Sequence, residues 1–173
     1  NHDDFDEAVK HYKGYTTAGK GELYYSIEDS HYKYIFLDSS AAGISDAQFN
    51  WLEDEIKSPK KIILFIHHPV LGINTGMDAI YPLHGRERIN RLLQQCSHKV
   101  IIFCGHYHMQ DYREDRNIIQ YVTPSVAFQV KKESPSININ IDSFGYRLIT
   151  ITDSSIATQL LINRGSGFLP EAD

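Results

Sequence analysis

Lys60–Pro69 reads KKIILFIHHP, and Val100–His108 reads VIIFCGHYH. Each is a continuous apolar run of strand length that stops abruptly at histidine. A run apolar at every position, too short for a helix and bounded by turn residues, is the pattern of a strand buried on both faces, as in a parallel sheet. Between the two runs, Gly85–Cys96 places Ile89, Leu92, Leu93 and Cys96 on one helical face. Strand, amphipathic helix, strand is a βαβ unit, and it makes the domain an α/β fold.

Working outward, Ser45-Asp46-Ala47-Gln48 has capping-box spacing, and Phe49, Leu52 and Ile56 follow on one face. This predicts a helix over Ser45–Lys57, closed by Pro59. Glu22–Asp29 and Tyr32–Leu37, split by Asp29-Ser30, predict a hairpin, and Asp4–Tyr12 a short helix ended by Gly14. Beyond Cys104 the pattern changes to short alternating segments, Ile118–Val122, Ile137–Ile141, Tyr146–Ile151 and Ile156–Ile162. These are expected to form antiparallel strands of a second sheet. Residues 164–173, with two Gly and a Pro, read as a tail.

Composition narrows the function classes. At 173 residues, with 42% hydrophobic and 23% charged side chains, the chain is long enough for one domain that buries about 70% of its unfolded surface. A net charge of −5, with no basic run longer than Lys131-Lys132, argues against a nucleic-acid polymer or an anionic membrane as partner. The longest apolar run, Ile62–Ile66, is strand-sized. Two cysteines, Cys96 and Cys104, without C-x-x-C spacing, read as reduced thiols and favour a cytoplasmic setting. The opening NHDDFDEAVKHY lacks an initiator Met and signal-peptide features, and reads as a start in mid-protein.

Five of the nine histidines fall in three clusters: Asn1-His2-Asp3, His67-His68-Pro69 and Gly105-His106-Tyr107-His108. Two clusters directly follow buried strands. In open α/β sheets the carboxyl ends of strands are where ligands bind. Residues two apart beyond a strand end face the same side, so both rings of H-x-H can reach one metal cluster. A lone histidine is more often a surface ring, but two strand-end clusters in one chain favour a shared site. Gly105 is expected to allow an abrupt turn and close backbone approach.

NHD, HHP and GHYH resemble, in order, the last three metal-binding motifs of the calcineurin-like metallophosphoesterase superfamily. The likeness continues through YYSIED, IFLDSS, GISDAQFNWLEDEI, ILFIHHPVLGINTGMD, YVTPSVAFQV and FGYRLITI, and is strongest to the bacterial cyclic-nucleotide and glycerophosphodiester phosphodiesterase branch. It spans Asn1 to about Asp153. It implies an αββα sandwich of two mixed sheets flanked by helices, with residues 1–163 as the C-terminal portion of a single domain. It implies a dinuclear centre of two divalent ions (Mn, Fe, Zn or Co) and a bridging hydroxide that attacks a small phosphodiester or cyclic nucleotide. Carried over by match, Asn1, His67 and His106 would bind the second ion and His108 the first, converging at one rim of the sheet.

His2 would sit beside the leaving group. Asp3 either orients His2 or is a plain carboxylate at a helix N-terminus. Asp78, in Gly76-Met77-Asp78, falls in a loop over the site in this branch and is expected to touch substrate. Tyr107 and Met109 are expected to pack, and Asp38 to serve a cap or turn. His11, His31, His84 and His98 are read as surface or structural. The D-x-H and G-D motifs, which supply the other ligands of the first ion and the bridging carboxylate, are missing from the resemblance. The chain by itself is therefore expected to hold at most about one ion and to lack diesterase activity. A degenerate, scaffold-like member of the fold is the rival reading, and a homo-oligomer stays open.

Overall fold

A computed structural model describes residues 1–2, 4–11, 21–134, 136–165 and 167–171. In chain order the elements are α1 (Phe5–His11), β1 (Tyr25–Glu28), β2 (Tyr32–Leu37), α2 (Asp46–Glu55), β3 (Lys61–Ile66), α3 (Gly76–Ile80), α4 (Arg86–Leu93) and β4 (Val100–Cys104). They continue with β5 (Asp111–Asp115), β6 (Ile118–Val122), β7 (Gln129–Val130), β8 (Ile139–Asn140), β9 (Phe144–Ile151), β10 (Ile156–Asn163) and β11 (Phe168–Glu171).

The buried runs form the middle of a six-stranded mixed sheet of order β1-β2-β3-β4-β6-β5. Strands β2, β3, β4 and β6 are parallel, so their carboxyl ends share one rim, while β1 and β5 are antiparallel edges. The period-2 alternation divides each strand between two cores. Ile62, Leu64, Val100 and Ile102 face the side where Phe49 and Leu52 of α2 and Ile89 and Leu93 of α4 pack. Ile63 and Phe103 face the other way, against Ile149, Ile151 and Ile156 of β9 and β10. Helix α2 starts as its sequence predicts, with Ser45 Oγ accepting the Gln48 N–H at 3.1 Å. The Gln48 side chain in turn accepts from the Asp38 N–H and donates to the Asp38 carbonyl, tying α2 to the end of β2.

On the face opposite the helices, one aromatic ring from every strand of the large sheet stands in register. Tyr25, Phe36, Phe65, Phe103 and Tyr121 stack at successive centroid spacings of 4.6, 4.8, 5.6 and 5.4 Å, and Tyr112 continues the row at 5.3 Å.

Three expectations change. Ile118–Val122 does not join the second sheet but pairs in parallel with β4, because Gln120, which breaks the apolar run, is buried and bonded to both backbone groups of Leu71. Ile137–Ile141 also stays outside the second sheet, since Ile139–Asn140 pairs with Gln129–Val130 in a separate two-stranded sheet, which leaves β9 and β10 as the expected antiparallel strands, joined by β11. Within the supposed tail, Phe168–Glu171 is a strand on β10, held by Phe168 against Phe144 and Tyr146 and by an Arg164–Glu171 ion pair. Among the described residues no helix is long and apolar enough to cross a membrane.

Candidate metal centre

At the carboxyl rim, the residues after β3 and β4 are drawn together by the Gly105 N–H, which donates to the His67 carbonyl at 3.0 Å. The expected abrupt turn is present, but glycine does not make it. A Cβ on Gly105 would meet only Thr123 O, at 3.9 Å, which is ordinary contact. The left-handed positions are His106 and His108, at φ 69° and 53°. Non-glycine residues rarely adopt that conformation, and where they do the surrounding structure over-determines it.

The turn brings the rings together. His67 Nε2 and His106 Nδ1 lie 3.1 Å apart, with the rings edge-to-face at 4.9 Å. His68 points inward from the strand end. It is 1% exposed, its Nδ1 lies 2.9 Å from Ser39 Oγ, and its ring lies 3.9 Å from that of His106. Adjacent residues at a strand end point to opposite sides, so His67 opens toward solvent while His68 supports His106 from below. His108 packs against Phe128 at 4.3 Å.

Burial lowers the affinity of all four rings for protons. It brings His68 down to about 3 and His67 to about 4, with the charge of His106 adding to both, and it also lowers His106 and His108. Near neutral pH the rings are uncharged, the form in which an imidazole nitrogen coordinates a metal. His106 Nε2 and His108 Nδ1 are buried, and the two rings have backbone hydrogen-bonding partners at Tyr81 and Phe128. Two nitrogens bound to one ion at about 2.1 Å would stand roughly 3.0–3.4 Å apart, and the His67–His106 spacing falls in that range. This pair fits a metal. The set is incomplete, however: among the described residues no group of three His, Cys, Asp or Glu is placed to hold an ion.

Asn1 and His2 are exposed. Asn1 lines a cavity of about 240 Å³ with His67, Asp38 and Ser39, and a charge on His2 lowers the proton affinity of His67, His106 and His108. Asp3 lies outside the described residues. Asp78 is not presented to a substrate: it is 5% exposed and accepts bonds from Arg86 Nη1 (2.5 Å), Tyr107 Oη (2.7 Å) and the Ile73 N–H (3.2 Å). The sequence shows an acid in a loop, but its partners lie 8 and 29 residues away. Asp38 makes a turn, accepting from the Ser40 and Leu23 N–H groups, and Tyr107 and Met109 are buried. Asp29-Ser30-His31 spells D-x-H but lies in the β1–β2 turn, where Asp29 accepts from the backbone of His31 and Tyr32. That turn precedes β2 and so sits at the end of the sheet away from the histidines. Ser39, which steadies His68, was not singled out in the sequence; its place directly beyond strand β2 was the available signal.

No family profile matches the chain. It is 30% identical over 152 residues to the 3',5'-cyclic adenosine monophosphate phosphodiesterase CpdA of Vibrio vulnificus, covering 83% of this chain and 55% of that protein. A 3',5'-cyclic-nucleotide phosphodiesterase of Nostoc is 24% identical over 73% of this chain and 50% of its own length. The glycerophosphodiester phosphodiesterase GpdQ of Enterobacter lignolyticus is 32% identical over 61% of this chain and 41% of its own length. The chain thus spans about half the length of the curated relatives it matches. A dimetal phosphatase from Danio rerio superposes with a TM-score of 0.57 at 14% identity, over 94% of this chain and 64% of that one, a likeness of fold.

Proposed function

This chain belongs to the calcineurin-like metallophosphoesterase superfamily, and we propose on that basis that it forms the C-terminal part of a metal-dependent phosphohydrolase acting on phosphodiesters. The observation that carries the reading is the pair of neutral imidazole nitrogens of His67 and His106, 3.1 Å apart where two parallel strands end. Asn1, His67 and His106 would hold one divalent ion and His108 would contribute to a second, the pair being Mn, Fe, Zn or Co. When bound, such ions hold phosphate oxygens, lower the pKa of the attacking water and offset charge on both reacting oxygens.

The chain's own residues prepare that chemistry. Burial keeps the rings deprotonated, His68 and Ser39 fix the plane on which His106 rests, and the exposed His2 would protonate a departing alkoxide. Small phosphodiesters, among them cyclic nucleotides, are the substrate class by similarity to the relatives above. The free thiols Cys96 and Cys104 support a reducing, cytoplasmic setting. One observation favours a second reading, a scaffold with a degenerate centre: no three-ligand group is found among the described residues.

Metal analysis of the purified chain and of His106→Ala, with turnover of a chromogenic diester, tests the proposal. The chain is expected to take up at most about one ion without turnover, and the variant to lose that ion. Unchanged metal content in His106→Ala refutes the assignment, and no uptake by either favours the scaffold.

A further inference from the structure

His106 and His108 both stand in left-handed backbone, and the residue between them is Tyr107, which is fully buried. Two disfavoured residues in a three-residue stretch hold their shape only when something fixes the middle one. The Tyr107 hydroxyl donates to Asp78 Oδ1 at 2.7 Å and lies 3.2 Å from the Tyr81 carbonyl. Asp78 is itself fixed from three sides. Arg86 of α4 donates to Oδ1, the Ile73 N–H donates to Oδ2, and Thr75 caps the short helix that carries it. Gly72 closes over the pair so tightly that a Cβ there would stand 3.1 Å from Arg86 Nη2 and 3.2 Å from Asp78 Oδ2.

The same segment reaches the histidines at its far end. Tyr81 lies edge-on to His106, with 6.4 Å between ring centroids. The chain from Gly72 to Tyr81 is therefore anchored to α4 by Arg86 and to the metal-side turn by Tyr107.

We propose that Asp78 is a positioning residue, which through the Tyr107 hydroxyl holds the 106–108 turn in the left-handed form that sets the His67 and His106 rings edge to face with their nitrogens 3.1 Å apart. Arg86 donates to the same Asp78 oxygen and aims it, so the hydrogen bond to Tyr107 is charge-assisted and directional. This assignment deepens the metal-site reading and rests on it only for the metal-binding arm of the test. An ion bound by His67 and His106 needs both nitrogens within a few tenths of an ångström of their places, and supporting hydrogen bonds supply that kind of accuracy.

The test uses Tyr107→Phe, which removes one hydroxyl and keeps the buried ring, and Asp78→Asn, which keeps the shape and removes the charge. Tyr34→Phe is the control, because it deletes a tyrosine hydroxyl bonded to Asp29 far from the rim. Two readouts are taken on the 173-residue chain: Co(II) affinity with its visible absorption bands, and the ring-to-ring contact between His67 and His106 by NMR in metal-free buffer.

Tyr107→Phe and Asp78→Asn are expected to weaken Co(II) binding by roughly 10-fold or more, the range seen when groups supporting metal ligands are lost. They should also diminish the His67–His106 contact, while Tyr34→Phe changes neither. Asp78→Glu, which keeps a charged acceptor for the hydroxyl, should retain more of both signals than Asp78→Asn, whose amide oxygen accepts without the charge. Wild-type affinity together with an unchanged ring contact in Tyr107→Phe overturns the proposal. If the unmodified chain binds no Co(II), the metal reading fails, and the ring contact alone decides the positioning role.

Discussion

Replacing His106 by alanine and by glycine separates the cost of its backbone from the value of its ring. Both variants lose the same imidazole, and with it the contact at 3.9 Å with His68 and the facing nitrogen of His67, so those losses cancel in the comparison. What differs is the Cβ at φ 69°. Left-handed backbone costs an L-residue roughly 1–2 kcal/mol, while glycine pays roughly 0.5–1 kcal/mol more than alanine in lost chain entropy. The difference leaves His106→Gly about 0.5–1 kcal/mol more stable than His106→Ala. In a chain of this length that is a rise in melting temperature of roughly 1–4 °C. Ala47→Gly, on the exposed side of α2, supplies the opposite sign: glycine there should destabilise by about 0.5–1 kcal/mol. Thermal and urea unfolding of the four proteins in chelator-treated buffer measures both differences. An alanine variant at 106 as stable as the glycine variant would refute the claim that this turn holds backbone strain.

Two further outcomes are expected. In metal-free buffer, stability should fall as pH drops below about 6.5: His68, about 3 in the folded protein, binds fewer protons there than in the unfolded chain, so acid favours unfolding. For this buried ring the loss is roughly 1–2 kcal/mol between pH 6.5 and 5, His67 adds in the same direction, and urea midpoints that do not move over that interval would contradict it. Gln120→Leu should destabilise by about 2–4 kcal/mol in chemical denaturation, since it strips the N–H and carbonyl of Leu71 of their 2.7 and 2.8 Å partners inside the core; a loss below about 0.5 kcal/mol would mean water replaces the amide.

Strands β3 and β4 were legible because nothing but apolar residues satisfies a strand covered on both faces, and α2 because Ser45 spells its cap. Strand β6 misled because its polar residue is paid for 49 positions upstream, at Leu71, beyond the reach of any local pattern. The strand Phe168–Glu171 was hidden in Gly and Pro, and it is held by pairing with β10 and by Phe144 and Tyr146 on β9, one strand farther across the sheet. At the rim, histidine clusters at strand ends marked the place, and similarity selected His67 over His68. The direction of each ring, the strained turn and the burial of Asp78 depend on contacts across the sheet, which spacing along the chain does not encode.

The row of stacked rings across the large sheet acts as an alignment gauge for the folding chain. A strand that docked one residue out of step would turn its ring to the helical side, and one that slipped by two would carry it about 6.5 Å along the strand, farther than the 4.6–5.6 Å that separates neighbours in the row. Either error forfeits the contacts that the ring makes with its neighbours in the row, so mispaired arrangements are penalised strand by strand. Phe65 and Phe103 are partners in this row, and the chain reaches His67 two residues after the first and His106 three after the second. Proofreading of the pairing in the sheet's interior thereby fixes how far each histidine projects beyond its edge.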